Sequence, residues 1–426
     1  MAHGLYWTLR GGTIVLIIKG MSLDKIKHWE VLPSTGRHFD LLDGLRGVAI
    51  LMVVCFHNFY FNPQSGLLIR CLGSLNGRGG VGVPIFFILS GFLISLPFFK
   101  VRATDATWYV RGYARRRAAK IIPPFYLSLI ILTLYYLVRY SNLGYFWTAL
   151  RWAVGICNFI PETLNFNSVY WSLIVEVQFY LILPLLFWLT RNSKLRQKII
   201  INFGLLFVIP LLVRELTWPS DSILQGIKVQ IGMTPSEYTF FLICRFPGQL
   251  DYFAWGVLFA GVWSAMPIDA LKAKSEFRLL SLLGYVGATL LVTTIILGAI
   301  WINLFGVAEH AARWMTESDR LLIGVSGFLL LFFLFDPQCF GARILSAQWL
   351  RFIGVVSYEW FLFHLPLIWL FREMWPRTHG SLMLYVFKTF IPMGLSFLFA
   401  VGLYRYFSLP IMNRVRAGIK RAETPR

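Results

Sequence analysis

Charge is scarce in this chain, and negative charge most of all. Twenty Asp and Glu stand against 40 Lys and Arg in 426 residues, so only 14% of positions are charged. A soluble globular domain carries about 25%. With 57% hydrophobic residues and a mean hydropathy of +0.64, the composition is that of a polytopic membrane protein. Cysteine is equally thin. Cys55, Cys71, Cys157, Cys244 and Cys339 are scattered with no C-x-x-C spacing, which argues against a disulfide framework and against a metal site. They read as small buried apolar side chains. There is no internal repeat, no separate soluble domain and no signal peptide with a cleavage site, although "GGTIVLIIKG" near the start is a short apolar run. Met21 is a second candidate start, opening the polar leader "MSLDKIKHWE". The net charge of +20 would suit a nucleic-acid partner, but apolar runs interrupt the basic residues every few dozen positions, so no nucleic-acid surface is expected.

What the chain has is long hydrophobic runs. The fold class expected is all-α, about ten transmembrane helices in one bundle, with spans near 45–62, 80–99, 121–139, 170–190, 198–214, 241–263, 279–301, 320–336, 353–372 and 384–407. The stretch 143–160 reads as an interfacial or re-entrant helix; as a full span it would change the parity. Positive charge arbitrates. On the ten-span count one set of connecting segments holds 27 Lys and Arg and the opposite set ten, which puts both termini in the cytoplasm of a multi-pass protein of the cytoplasmic membrane. The domain reading is a cytoplasmic leader over 1–36, a transmembrane domain over 37–410 and a basic cytoplasmic tail over 411–426, with no extracytoplasmic module fused to it.

An ionisable side chain in mid-membrane costs about 2.5–3.5 kcal/mol, so each one raises a functional question. Arg46 with His57, Glu176, Arg245 with Asp251, and Glu359 with His364 all lie within expected spans. Taken singly, a transmembrane His is most often a hydrogen-bonding group between helices. Arg46 and His57 form a pair, however: eleven residues bring them to one helical face, about 16 Å apart along the axis. A cation near the cytoplasmic surface and an imidazole deeper in suit an elongated phosphorylated donor, and acyl-coenzyme A has that shape. The ordinary alternative for Arg46 is a snorkelling topology anchor, with Asp43 three residues earlier as its partner.

Five stretches, in order, resemble the motifs of the membrane acyltransferase-3 family: "DGLRGVAILMVVCFH", "GGVGVPIFFILSGFLIS", "YARRRAAKIIPPFY", "YWSLIVEVQFYLILPLL" and "VSYEWFLFHLPLI". Together they cover nearly all of 37–410. Lys120 stands where the family commonly has Arg, Val177 where a second Glu is common, and Ser408 where a Glu usually precedes the final Pro, which leaves Glu176 as the carboxylate to consider. The resemblance implies O-acyl transfer from cytoplasmic acyl-coenzyme A, acetyl-coenzyme A most simply, to a hydroxyl of a cell-surface or lipid-linked carbohydrate, with no bound cofactor.

The residue chemistry agrees. A sugar hydroxyl is a poor nucleophile, and His is the side chain whose ordinary pKa suits taking its proton. His57 is the expected general base; an acyl-His intermediate is the other use of the same side chain. Glu176 either orients that imidazole or ties its helix to a neighbour. Arg116, Arg117 and Lys120 supply further phosphate contacts or serve as surface anchors. Ser90, beside Gly91, reads as a small-residue helix contact. His364 contacts the acceptor or fixes the bundle. Tyr358 in the last motif, and Arg245 and Asp251 around an interruption at Pro247 and Gly248, complete the candidates. Trp152, Phe159, Phe166, Tyr170 and Trp171 on the outer side could stack on sugar rings or form an interfacial belt. Two other functions fit less: a relay subunit handing acyl groups to a separate secreted transferase, and a proton-coupled secondary transporter, for which a second, matching helix interruption is missing.

Overall fold

The computed structural model describes residues 5–10, 13–18, 39–58, 66–100, 106–155, 166–217, 246–266, 276–305, 313–374 and 382–423. The chain divides into two units, Met1–Phe39 and Asp40–Arg426. In the first, strands β1 (Leu5–Arg10) and β2 (Thr13–Ile18) pair antiparallel, Leu5 opposite Ile18 and Arg10 opposite Thr13. The apolar run near the start is therefore a β-strand, as its β-branched residues favour.

From Asp40 onward every described element is helical. In chain order these are α1 (Asp40–His57), α2 (Leu67–Gly77), α3 (Gly82–Lys100), α4 (Ala106–Tyr140), α5 (Gly144–Ala153), α6 (Tyr170–Leu189), α7 (Leu195–Thr217) and α8 (Leu250–Ala265). They are followed by α9 (Glu276–Phe305), α10 (Arg313–Leu330), α11 (Phe340–Leu345), α12 (Gln348–Val355), α13 (Ser357–Met374), α14 (Leu382–Leu403) and α15 (Leu409–Glu423). Each of the ten expected spans holds a helix. Among the described residues, seven stretches are long and apolar enough to cross a membrane, eight if α12 and α13, bent by 70°, count as one span. Of the others, α1 carries Asp40, Asp43 and Arg46, and the described part of α8 is 16 residues long. The count of ten thus rests on hydropathy alone, whereas an all-α, multi-pass membrane body is plain.

α5 settles the geometry of the aromatic stretch after α4. Its start stacks on the end of α4, Tyr145 against Tyr136 at 4.6 Å, and at its far end the carbonyl of Ala153 accepts from the hydroxyl of Tyr126, 2.8 Å away. Tyr126 lies ten residues, about 15 Å, back along α4. The chain is then beside Tyr136 again, whose hydroxyl donates to the Phe166 carbonyl at 2.8 Å. α5 thus folds back along α4 and, at ten residues, is too short to span a hydrocarbon core.

Small residues bring the site-bearing helices together. A Cβ on Gly44 would meet the Leu345 carbonyl, one on Gly47 that of Leu350, and one on Gly354 the Asp43 carbonyl, so α1 lies with its backbone against α11 and α12. Gly91 of α3 and Gly256 of α8 make the same close crossing, against Phe253 and Ile88. The buried core around this second crossing is aromatic: Phe253 stacks on Phe87 at 4.5 Å and on Phe179 at 4.1 Å. α13 packs along α1 and α14. Cys71, expected to be buried, is exposed.

A buried ionic cluster joins α7, α8 and α10. Asp251 takes Arg214 at 3.2 Å and Arg320 at 2.6 Å, Arg214 also holds Glu317 at 2.6 Å, and both guanidiniums donate to the Gly248 carbonyl. Beside it, Arg78 pairs with Asp319 at 2.5 Å. Pro247 and Gly248 precede α8, so the interruption expected there is the helix start, and Gly248 gives its carbonyl to the cluster.

Candidate active site

Two polar clusters lie along α1, one at each end. At the N-terminal end a cavity is lined by Arg46, Ser90, Arg117, Lys120, Glu176, Tyr180 and Tyr358, together with Phe86, Phe87 and Phe361. Arg46 pairs with Asp43 at 3.0 Å, the i, i+3 partner expected from the sequence. Glu176 accepts hydrogen bonds from the hydroxyls of Ser90 and Tyr180, and Arg117 lies over the Tyr180 ring at 5.9 Å. The hydroxyl of Tyr358 donates to the Ile121 carbonyl at 2.9 Å, which fixes the start of α13 against α4. Three cations and one carboxylate, the latter already holding two donors, make this a cavity for an anionic group.

His57 is elsewhere. At the C-terminal end of α1 its Nδ1 lies 3.0 Å from the Val53 carbonyl and 3.0 Å from Nε2 of His364. His364, fully buried, has its own Nδ1 3.0 Å from the Trp360 carbonyl and 2.9 Å from that of Phe361. Arg372, two turns further along α13, donates to the His57 carbonyl at 2.8 Å and so caps the end of α1. The wall between the clusters is aromatic: Phe361 lines the cavity, packs on Phe86 at 6.5 Å, and has its ring 5.9 Å from that of His364.

The structure thus brings together Arg46, Ser90, Arg117, Lys120, Glu176 and Tyr358 in one place, and His57 with His364 in another. Glu176 does not reach His57; the imidazole's neighbour is a second imidazole. The small-residue contact expected at Ser90 is made by Gly91, and Ser90 turns to Glu176 instead. Arg116 lies outside the cavity lining, against Gly112 of its own helix. Asp251 belongs to the ionic cluster, and Arg245 lies outside the described residues. Of the expected sugar platform, Trp152, Phe166 and Tyr170 are fully buried and have no face to offer; Trp171 packs edge-on against Phe87, and Phe159 lies outside the described residues.

Two residues of these clusters escaped the sequence. Tyr180 carried a usable signal, one turn from Glu176 in the same motif. Arg372 looked like any cation at the end of a span, and only the fold shows it on His57. Among the described residues no group of His, Cys, Asp and Glu could hold a metal ion, and the cavity offers hydroxyls and cations rather than ligands for one.

Comparison with known proteins returns O-acetyltransferases. A peptidoglycan O-acetyltransferase of Listeria monocytogenes, OatA, is 25% identical over 392 residues, covering 87% of this chain and 55% of that protein. A putative O-acetyltransferase of Staphylococcus aureus strain COL is 24% identical over 90% of this chain and 58% of its own length, and the O-acetyltransferase OatA of strain NCTC 8325 is 23% identical over 89% and 58%. This chain therefore spans a little over half the length of these relatives. No solved structure matches it. The acyltransferase-domain family model matches residues 39–401, from the start of α1 almost to the end of α14 and including both clusters, so the chain belongs to that acyltransferase family.

Proposed function

We propose that the protein transfers an acyl group, most simply acetyl, from cytoplasmic acyl-coenzyme A to a hydroxyl of a cell-surface or lipid-linked carbohydrate, with His57 as general base. The observation that carries this reading is the cavity in which Arg46, on the helix that ends in His57, meets Arg117 and Lys120 of α4. The cations come from segments whose excess of Lys and Arg marks them as cytoplasmic, where the donor is made. Donor phosphates sit against the guanidiniums and the ammonium, and the pantetheine arm runs along α1 and parts Phe86 from Phe361 to bring the thioester to the imidazole. His57 takes the proton of the acceptor hydroxyl as its oxygen attacks the thioester carbonyl. The carbon–sulfur bond then breaks, and the proton passes from the imidazolium to the departing thiolate. Peptidoglycan, named for the Listeria relative, is the first acceptor to try.

Purified protein in lipid nanodiscs, given acetyl-coenzyme A labelled in the acetyl group and a carbohydrate acceptor, tests the reading. Label should move to carbohydrate with wild type and with neither His57→Ala nor His57→Gln, both correctly inserted. Substantial turnover by the Gln variant would remove His57 from the chemistry. Label held on the protein without transfer would make the chain a relay, and no label transfer at all would exclude the donor.

A further inference from the structure

The hydrogen bonds around the two imidazoles determine where their protons are. A carbonyl oxygen only accepts, so a ring nitrogen within 3.0 Å of one carries hydrogen. His364 Nδ1 faces two carbonyls, of Trp360 and Phe361, and is protonated. In the neutral ring this leaves Nε2 of His364 with a lone pair, aimed at Nδ1 of His57 over 3.0 Å. His57 Nδ1 faces that lone pair and the Val53 carbonyl together, so by two independent contacts it too is protonated. The lone pair of His57 is then on Nε2, and among the described residues nothing hydrogen-bonds that atom.

We infer that His364 is a positioning residue, which together with the Val53 carbonyl holds His57 in the Nδ1–H tautomer and leaves Nε2 to take the acceptor's proton. The inference rests on the reading of His57 as base. Triads assign this task to a carboxylate; here a neutral, fully buried imidazole does it, fixed through its own Nδ1–H to the carbonyls of α13. When Nε2 of His57 gains the proton, the ring becomes an imidazolium whose Nδ1–H still donates to His364 Nε2. That bond is then charge-assisted and stronger. His364 neither gains nor loses a proton in the step.

Nitrogen NMR of the full-length protein in nanodiscs, with 15N-labelled histidine and the His57 signals assigned by their loss in His57→Ala, reads the tautomer directly. The expected wild-type spectrum shows His57 protonated on Nδ1 and bare on Nε2; a proton on Nε2, or on both nitrogens, overturns the inference without any other variant being made. In His364→Phe the Val53 carbonyl alone still accepts from His57 Nδ1–H, so the preference for that tautomer should weaken and a measurable share of the proton should move to Nε2. Its kcat should fall about 10- to 100-fold at unchanged donor KM, a part of what a general base supplies. His364→Gln, whose amide oxygen accepts where Nε2 did, should restore most of it. A folded His364→Phe protein with full kcat and an unchanged tautomer also overturns the inference. Turnover in His57→Gln would instead remove the base assignment while leaving the wild-type spectrum as expected, so the two failures are separable.

Discussion

Arg46 and His57 share a helix but lie in different clusters, one in the cation cavity and the other against His364. If Arg46 holds donor phosphate, Arg46→Ala weakens donor binding and leaves the chemical step intact. Losing one charge-assisted contact is worth about 1.5–3 kcal/mol, so donor KM should rise about ten- to a hundredfold where KM tracks affinity. Arg46→Lys keeps the charge, loses the planar fork and should fall between. Steady-state kinetics with varied acyl-coenzyme A checks this, and an unchanged KM would reduce Arg46 to a partner for Asp43. At this scale the sequence was informative about single residues and uninformative about pairs. Periodicity put Arg46 and His57 on one face because both belong to one helix. That Glu176 meets Ser90, and that His364 meets His57, depends on how α1, α3, α6 and α13 are rotated against each other. No spacing within a single helix encodes that rotation.

At the scale of elements, the glycines of α1 and α12 set the frame in which the clusters form. Gly354→Ala would drive a methyl group into the backbone of α1 at Asp43, beside Arg46, and no flexible side chain is there to yield. Overpacking of this kind costs about 1–3 kcal/mol, and the displaced helix would carry Arg46 with it. Gly204 in α7 is the control: nothing lies within 4 Å of its added Cβ. Gly204→Ala should leave stability equal or raise it by up to about 1 kcal/mol. Thermal unfolding of both variants in detergent, scored against wild type, separates close packing from general sensitivity. The existence of the helices was readable from the hydropathy, because long apolar runs leave few other options in lipid. The course of α5 was open, since ten apolar residues leading away from α4 and ten folded back along it have the same composition; the tyrosine contacts show the helix folded back along α4.

For the whole molecule the outstanding quantity is sidedness, which the distribution of Lys and Arg predicts. Reporter fusions after Arg117 and after Arg426 should both read cytoplasmic. A split result would break the ten-span count, and with it the assignment of the cation cavity to the side where acyl-coenzyme A is found.

The ionic cluster of α7, α8 and α10 bears on how such a chain is made. A ribosome delivers its four charged members in the order Arg214, Asp251, Glu317, Arg320. The first acid arrives 37 residues after the first base. The last two arrive within a single helical turn, an acid and then a base. At every stage of synthesis the running charge of the emerged members stays within one unit of zero. An uncompensated buried charge costs several kcal/mol, so the order of residues along the gene limits what the membrane must tolerate before the last helix is in place.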